Sequence, residues 1–409
     1  MTHLRLSCAL LLALALAFPV FADGYRTVVK DNGRELPLCV VEGTPYEMGK
    51  SFGQLFTQES QALIERIIGA SQMSDPDEFA NEALDAAWEA TSPYVSDYMK
   101  EELRGVADGA GIPLQTLIRA HMVPLIASYS CSSLAMWGDA TATGDLFMSR
   151  NLDWELELRA HDFAVLVLYL PENGTPHVNV TFAGYIGCNT GMNAAGIALA
   201  EMGDSPGREK PYDLNGYHFT MFFRDMLYKG ETMDQVLGML RNTKRIKKYH
   251  YVFGSGKEKR AVKIKAHAPD LIIWEENDPD DEFAPNVMAN CVYNDEGRGA
   301  FPSLKAEYGK LTGESLMEIA KSIPIKGGNV IDVVYNATDF ELWITYAEGE
   351  TEAYKLPAVY ADLNAYLDFE NPPAPVLAKT DGETLEGVES IATQNGQSNT
   401  QFGTFTKKR

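Results

Sequence analysis

Tyr129-Ser-Cys131-Ser-Ser-Leu-Ala-Met-Trp-Gly138 and, eleven residues on, Ser149-Arg150-Asn151-Leu152-Asp153-Trp154 decide how this chain is read. The texture of the sequence changes at Cys131. Before it, Gly43-Thr-Pro-Tyr-Glu-Met-Gly49-Lys-Ser-Phe-Gly53 reads as a glycine-punctuated turn entering a helix. Leu55, Phe56, Leu63, Ile64, Ile67 and Ile68 then recur at helical spacing. Further helices are predicted from Asp75-Pro76, over 96–107, and from Leu114. One or two strands are predicted within 23–42. After Cys131, short apolar runs separated by turn residues predict strands at 132–137, 146–149, 163–170, 178–182, 185–189 and 197–202. Two helices follow, at 218–228 and 232–240. Strands return at 249–254, 261–265, 271–274 and 286–290. A short helix at 315–321 then precedes strands at 330–336, 341–346 and 353–356. Strands, then helices, then strands indicate an α+β fold with antiparallel sheets and helices outside. No internal repeat is visible.

Cys131 and Arg150 are 19 residues apart, about one hairpin. Two adjacent antiparallel strands would return Arg150 and Asp153 to the side of Cys131. A thiol becomes a nucleophile when a base or a positive charge favours the thiolate. Arg150 would supply charge, and Asp153 would accept hydrogen bonds from a nearby amine or thiol. Cys39, Cys188 and Cys291 have no such context and read as small buried hydrophobes.

Composition narrows the function classes. The chain has 409 residues, 45% of them hydrophobic, and a formal net charge of −22 from 57 acidic and 35 basic side chains. Such acidity argues against nucleic acid and against an anionic membrane surface, because binding phosphate needs a basic face. The basic residues of 241–265 flank a predicted strand pair and read as a solvated hairpin, and the acidic run 275–282 reads as a surface loop. No metal-ligand spacing is present, so no cofactor is expected.

The ends read as processing and tail segments. Arg5, the apolar run 6–16, and Val20 and Ala22 at the small-residue positions have the layout of a secretory signal peptide over 1–22. The run is shorter than the roughly 18–20 apolar residues a membrane span needs. The expectation is therefore an exported protein, periplasmic or extracellular, or lumenal in a lysosome-like compartment of a eukaryote. Residues 23–130 form the mostly helical segment and 131–370 the strand-rich one. The tail 371–409 is rich in Pro, Gly, Thr, Ser, Gln and Asn and is expected to be mobile.

Several blocks carry a resemblance in order. They are Gly43-Thr-Pro-Tyr-Glu-Met-Gly49 with Gly53, Glu102-Leu-Arg-Gly105-Val-Ala-Asp-Gly109-Ala-Gly111-Ile, Cys131-Ser, Arg150-Asn151-x-Asp153-Trp154 and Gly191-Met-Asn193-Ala-Ala-Gly196-Ile. Over about residues 40–360 the chain resembles the N-terminal-nucleophile hydrolases. The likeness is to the choloylglycine hydrolase type, and especially to the acyl-CoA:6-aminopenicillanate acyltransferase (peptidase C45-like) family.

The resemblance implies a four-layer αββα sandwich of two antiparallel sheets and a precursor that cuts itself between Ser130 and Cys131. The freed α-amino group of Cys131 would then act as base for its own thiol, since such an amine has a pKa near ~7.7–8.0. It implies an N-acyl amide substrate with an apolar acyl group, a thioester acyl-enzyme, and a two-chain product. Arg150 and Asp153 would orient the amine and substrate. Asn290 would position the amine or donate to the oxyanion. Arg298 and Lys305 are candidates for a further cation, and Asn193 is read as a structural turn residue. Glu201-Met-Gly203-Asp204 departs from the family's oxyanion segment. The rivals are an uncleaved thiol hydrolase pairing Cys131 with His121 or His161, and a catalytically silent relative that binds acyl ligands.

Overall fold

The computed structural model describes residues 24–127, 129–202, 213–246, 248–267, 270–281, 288–381 and 385–386. The signal-peptide reading lies outside these residues. In chain order come β1 (Gly24–Asp31) and β2 (Arg34–Gly43). Five helices follow: α1 (Pro45–Leu55), α2 (Thr57–Ser74), α3 (Asn81–Thr91), α4 (Asp97–Ala110) and α5 (Leu114–Ile126). Six strands come next: β3 (Ser130–Met136), β4 (Phe147–Trp154), β5 (Ala164–Pro171), β6 (His177–Phe182), β7 (Thr190–Asn193) and β8 (Ile197–Glu201). Helices α6 (Phe219–Lys229) and α7 (Met233–Arg241) lead into β9 (Tyr249–Ser255), β10 (Arg260–Ala266), β11 (Leu271–Trp274) and β12 (Cys291–Asn294). The last elements are α8 (Phe301–Glu307), α9 (Gly313–Lys321), β13 (Gly328–Asn336), β14 (Glu341–Tyr346), β15 (Val359–Asp362), β16 (Ala378–Thr380) and β17 (Leu385–Glu386).

Among the described residues the strands form two sheets. The larger runs β11-β10-β9-β8-β7-β6-β5-β2-β1-β16-β17, the smaller β12-β3-β4-β13-β14-β15. Side-chain alternation explains how they stack. In β5, Leu166, Leu168 and Leu170 enter the core between the sheets. Val165, Val167 and Tyr169 turn to the opposite face, against α1, α4 and α5. Both faces are covered, which is why this strand reads as one unbroken apolar run. Farther along the large sheet, Leu199, Tyr251, Phe253 and Val262 pack against α6 and α7. The small sheet sends Leu152, Val333, Tyr335 and Ile344 inward and Leu134, Met136, Phe147 and Val334 outward against α8 and α9. The fold is α+β, in four layers: helices, sheet, sheet, helices.

Three expectations are corrected. Among the described residues the named strands pair antiparallel except β2 and β5, which run parallel. Those strands are separated by five helices and the β3–β4 hairpin, and parallel neighbours need such a long crossover. The tail is not wholly outside the fold: β16 adds to the edge of β1, pairing Gly24 with Thr380, and β17 pairs with β16. The backbone groups on the open edge of β1 find partners there; the rest of the tail expectation, 387–409, lies outside the described residues. Finally, the 249–265 hairpin is not simply solvated. Lys263 is fully buried, 2.6 Å from Asp281 of the acidic run, and its ammonium donates to the Tyr293 carbonyl at 3.0 Å.

The opening motifs have a mechanical explanation. Thr44 caps α1 through a reciprocal pair with Glu47, and Pro45 opens the helix where no amide donor is needed. Gly49 and Gly53 of α1 face Gly105 and Gly109 of α4. A methyl group at Gly105 would lie 2.0 Å from the Tyr46 carbonyl oxygen, and one at Gly109 2.1 Å from that of Lys50. The two helices pack backbone against backbone. Gly69, in α2, has nothing within 4 Å of that position.

Gly105→Ala is therefore expected to cost about 2 kcal/mol or more of unfolding free energy by forcing the helices apart. Gly69→Ala should stabilise by about 0.5–1 kcal/mol through helix propensity alone. Urea unfolding of the two variants checks the pair, and equal effects would contradict this packing.

Candidate active site

Cys131 is the second residue of β3. It pairs with Leu152 of β4, so Arg150 is its diagonal neighbour across the hairpin. Diagonal neighbours on one face are ~7–8 Å apart at the backbone, within reach of a long side chain. Arg150 closes that gap: its Nη2 donates to Cys131 Sγ at 3.1 Å, and its Nε donates to the Glu201 carbonyl at 3.3 Å. Arg150, Cys131 and Glu201 are all buried. A buried guanidinium is costly unless paired, and the Glu201 carboxylate lies 4.0 Å away to share its charge. Tyr129 Oη donates to the same carboxylate at 2.8 Å. The Cys131 thiol is pushed well above the usual range by burial, the Arg150 charge opposing and Glu201 adding.

The other strand face carries a second cluster. Asp153 is opposite Ser130 in the β3–β4 ladder. Its Oδ2 takes a 2.6 Å bond from Arg298 Nη1 and a 3.1 Å bond from the Lys326 amide. Arg298 Nη2 donates to the Cys131 carbonyl at 2.6 Å, and its Nη1 also reaches the Pro324 carbonyl at 2.8 Å. Asn329 donates to Asp153 at 3.4 Å and to Asp332 at 2.8 Å. The Asp332 carboxyl is pushed up to about 7, chiefly by burial, with Asp153 adding and the Asn329 bond opposing. Asp332 pairs with Asn151 across β13 and β4.

An apolar slot opens beside Arg150 and Leu152. Its walls include Ile67 of α2, Val123 of α5, Trp154, Phe182 and Ile331, with Tyr129 at its margin. The helical segment before Cys131 and the strands after it thus build the slot jointly.

Of the expected site residues, the structure brings together Cys131, Ser130, Arg150 and Asp153 and, of the two candidate cations, Arg298. It does not bring Asn290. Residues 286–287 of the expected strand lie outside the described residues, and the strand found next to them is β12 (Cys291–Asn294), which pairs Cys291 with Met136 and Asn294 with Ser133. Asn290 therefore sits in a left-handed turn opposite Trp137. That is six residues along β3 from Cys131, about 20 Å at ~3.3 Å per residue, and the Asn290 side chain lies against Gly138 instead. Lys305 lies within α8. Asn193 is structural: its amide donates to the Leu227 and Gly230 carbonyls and its oxygen accepts from Ile197 N.

Sequence reasoning missed Glu201, Glu296, Lys326, Asn329 and Asp332. Only Glu201 had a signal, in the segment that departs from the family pattern. Both candidate histidine partners bond backbone groups. His121 Nδ1 donates to the Leu117 carbonyl at 2.8 Å and Nε2 accepts from Ile186 N at 3.1 Å, so both nitrogens are used. Burial pushes its pKa down to about 4. His161 Nε2 bonds the Gly349 carbonyl at 2.9 Å. The four described cysteines are all buried and free.

No protein-family model matches the chain. Curated relatives include protein dcd1B of Dictyostelium discoideum, 26% identical over 303 residues, 68% of this chain and 60% of that protein. An uncharacterized protein of Archaeoglobus fulgidus is 25% identical over 61% of this chain and 48% of its own length. The chain thus spans about half to two-thirds of the relatives it matches. Among solved structures it is similar to the Caenorhabditis elegans ortholog of N-acylethanolamine-hydrolyzing acid amidase. That match has 15% identity and a TM-score of 0.42, over 56% of this chain and all (100%) of that one. Penicillin V acylase from Agrobacterium tumefaciens is similar at 12% identity and a TM-score of 0.40, over 61% of this chain and 91% of that one.

Asp332 gives the site a pH signature. Its folded pKa lies above the unfolded ~3.9, so the native state holds a proton that the unfolded chain releases. This contribution to stability is complete below about pH 4 and is lost as the pH rises towards 7. Between pH 5 and 8 the wild type should lose roughly 2–3 kcal/mol more unfolding free energy than Asp332→Asn. Denaturant titrations at the two pH values check this, and parallel losses would contradict it.

Proposed function

We propose that the protein is an exported, self-processing cysteine amidohydrolase or acyltransferase with Cys131 as N-terminal nucleophile. The observation that carries this reading is the 3.1 Å contact between Arg150 Nη2 and Cys131 Sγ, with Arg150 itself lining an apolar slot. A guanidinium against a thiol stabilises the thiolate, and an apolar wall suits an acyl chain.

The uncut chain lacks an α-amine beside the thiol, and self-cleavage would supply one for turnover. The thiol is buried with its pKa raised; of the two candidate histidines, His121 spends both nitrogens on backbone groups, and His161 bonds the Gly349 carbonyl through Nε2. Cleavage before Cys131 would supply an α-amine on the same residue, with a pKa near ~7.7–8.0. In turnover that amine takes the thiol proton. Sulfur then forms a bond to the carbonyl carbon of an N-acyl amide. The C–N bond breaks, the leaving amine takes the proton, and a thioester remains. Water or a second amine attacks the thioester and restores the thiol. Arg298, on the Cys131 carbonyl, and Asp153, paired with Arg298, fix the backbone that carries the amine. The substrate class is an N-acyl amide with an apolar acyl group. Export rests on the amino-terminal sequence 1–22.

Cleavage would give chains of 108 residues (23–130) and 279 residues (131–409). Intact mass of the purified protein should show both, and Cys131→Ala should remain one chain without activity on a panel of N-acyl amides. A cut that persists in Cys131→Ala would refute the assignment. A single wild-type chain that still reacts with thiol probes would point to an uncleaved thiol hydrolase, and an inert one to a silent acyl binder.

A further inference from the structure

The residue before the cut has its own binding site. Ser130 Oγ donates to Glu296 Oε2 at 3.2 Å. The same Glu296 oxygen is paired with Lys326 Nζ, and the Lys326 backbone amide donates to Asp153 at 3.1 Å. Ser130 is buried, and the Glu296 side chain is only 20% exposed.

Glu296 is held there by an unusual turn. Asn294 Oδ1 accepts from the Glu296 amide at 3.1 Å, and Asp295 accepts from the amides of Gly297 at 3.0 Å and Ala300 at 2.7 Å. This wrapping places Glu296 at φ 52, in the left-handed region, next to Gly297 at φ 74. A non-glycine residue there is strained and persists only where its surroundings fix it. The turn therefore presents two side chains to the Ser130–Cys131 bond from one short segment. Glu296 takes the residue before the bond, and Arg298 takes the carbonyl of the residue after it.

We propose that Glu296, braced by Lys326, is a positioning residue for self-cleavage that holds Ser130 so that its carbonyl carbon faces the Cys131 thiol. The proposal rests on the self-processing reading above. The step it serves is balanced as follows. Cys131 Sγ gives up its proton and bonds the Ser130 carbonyl carbon. The Ser130–Cys131 C–N bond breaks, and the nitrogen takes the proton to become the α-amine. Water then splits the thioester, leaving a Ser130 carboxylate and the free thiol. Glu296 handles no proton in this scheme; it restricts the rotation of Ser130, and small losses of alignment are costly in such displacements.

The test is the rate at which the full-length protein converts to two chains, followed by intact mass after synthesis. Glu296→Ala and Ser130→Ala should each slow conversion by about 10- to 100-fold. The double variant should be no slower than the slower single, because both remove one interaction. Glu296→Gln keeps an acceptor for the Ser130 hydroxyl and should recover most of the rate. A general loss of stability would produce neither the coupling nor the rescue. Should Glu296→Ala fail to fold, Ser130→Ala, which deletes one hydroxyl, and Glu296→Gln carry the test. Conversion of Ser130→Ala at the wild-type rate, or additive effects in the double variant, overturns the proposal while the self-processing reading stands. A wild-type protein that never converts overturns both.

Discussion

The site depends on the antiparallel pairing of β3 with β4. That ladder sets Cys131 opposite Leu152, so that a side chain two residues away reaches the sulfur. Arg150 is fully buried, and no comparable cation could be held there without partners. The thiol, the Glu201 carbonyl and the Glu201 carboxylate supply them. The interaction thus serves two purposes. It compensates a buried charge, and it places positive potential on a sulfur whose guanidinium partner lines an apolar slot.

The two sheets make this burial possible. The small sheet presents Cys131 to the inter-sheet core, while the large sheet brings Glu201 from β8. The helices before Cys131 cover the large sheet and contribute Ile67 and Val123 to the slot. They stay in register because α1 and α4 meet at glycines, where the backbones approach more closely than side chains would allow. Strands β1 and β2 come from the same early segment and lie well inside the large sheet, between β5 and β16. A cut after Ser130 would therefore leave the early segment bound by a strand ladder on both sides.

Much of this could be read locally. The change from helical to strand periodicity at Cys131 follows from side-chain spacing, which any observer of the sequence can count. The hairpin that returns Arg150 to Cys131 needs only short-range turn chemistry. The miss at Asn290 has an equally physical cause. The expected strand and the real one differ by a few residues, and strand position cannot be deduced from an apolar tetrad alone. That shift exchanges Asn290 for Asn294 as the residue nearer the thiol.

The sequence by itself determined the fold class and the return of Arg150 and Asp153 to the strand that carries Cys131, because periodicity and turn residues act over a few positions. Only the tertiary structure decided which distant groups complete the site. Glu201, Glu296, Arg298, Lys326 and Asp332 lie between 51 and 182 residues from Arg150. They meet through sheet order and through a turn in which Glu296 is left-handed. Their roles come from burial, which raises the cost of every unpaired charge and so dictates the pairs that form.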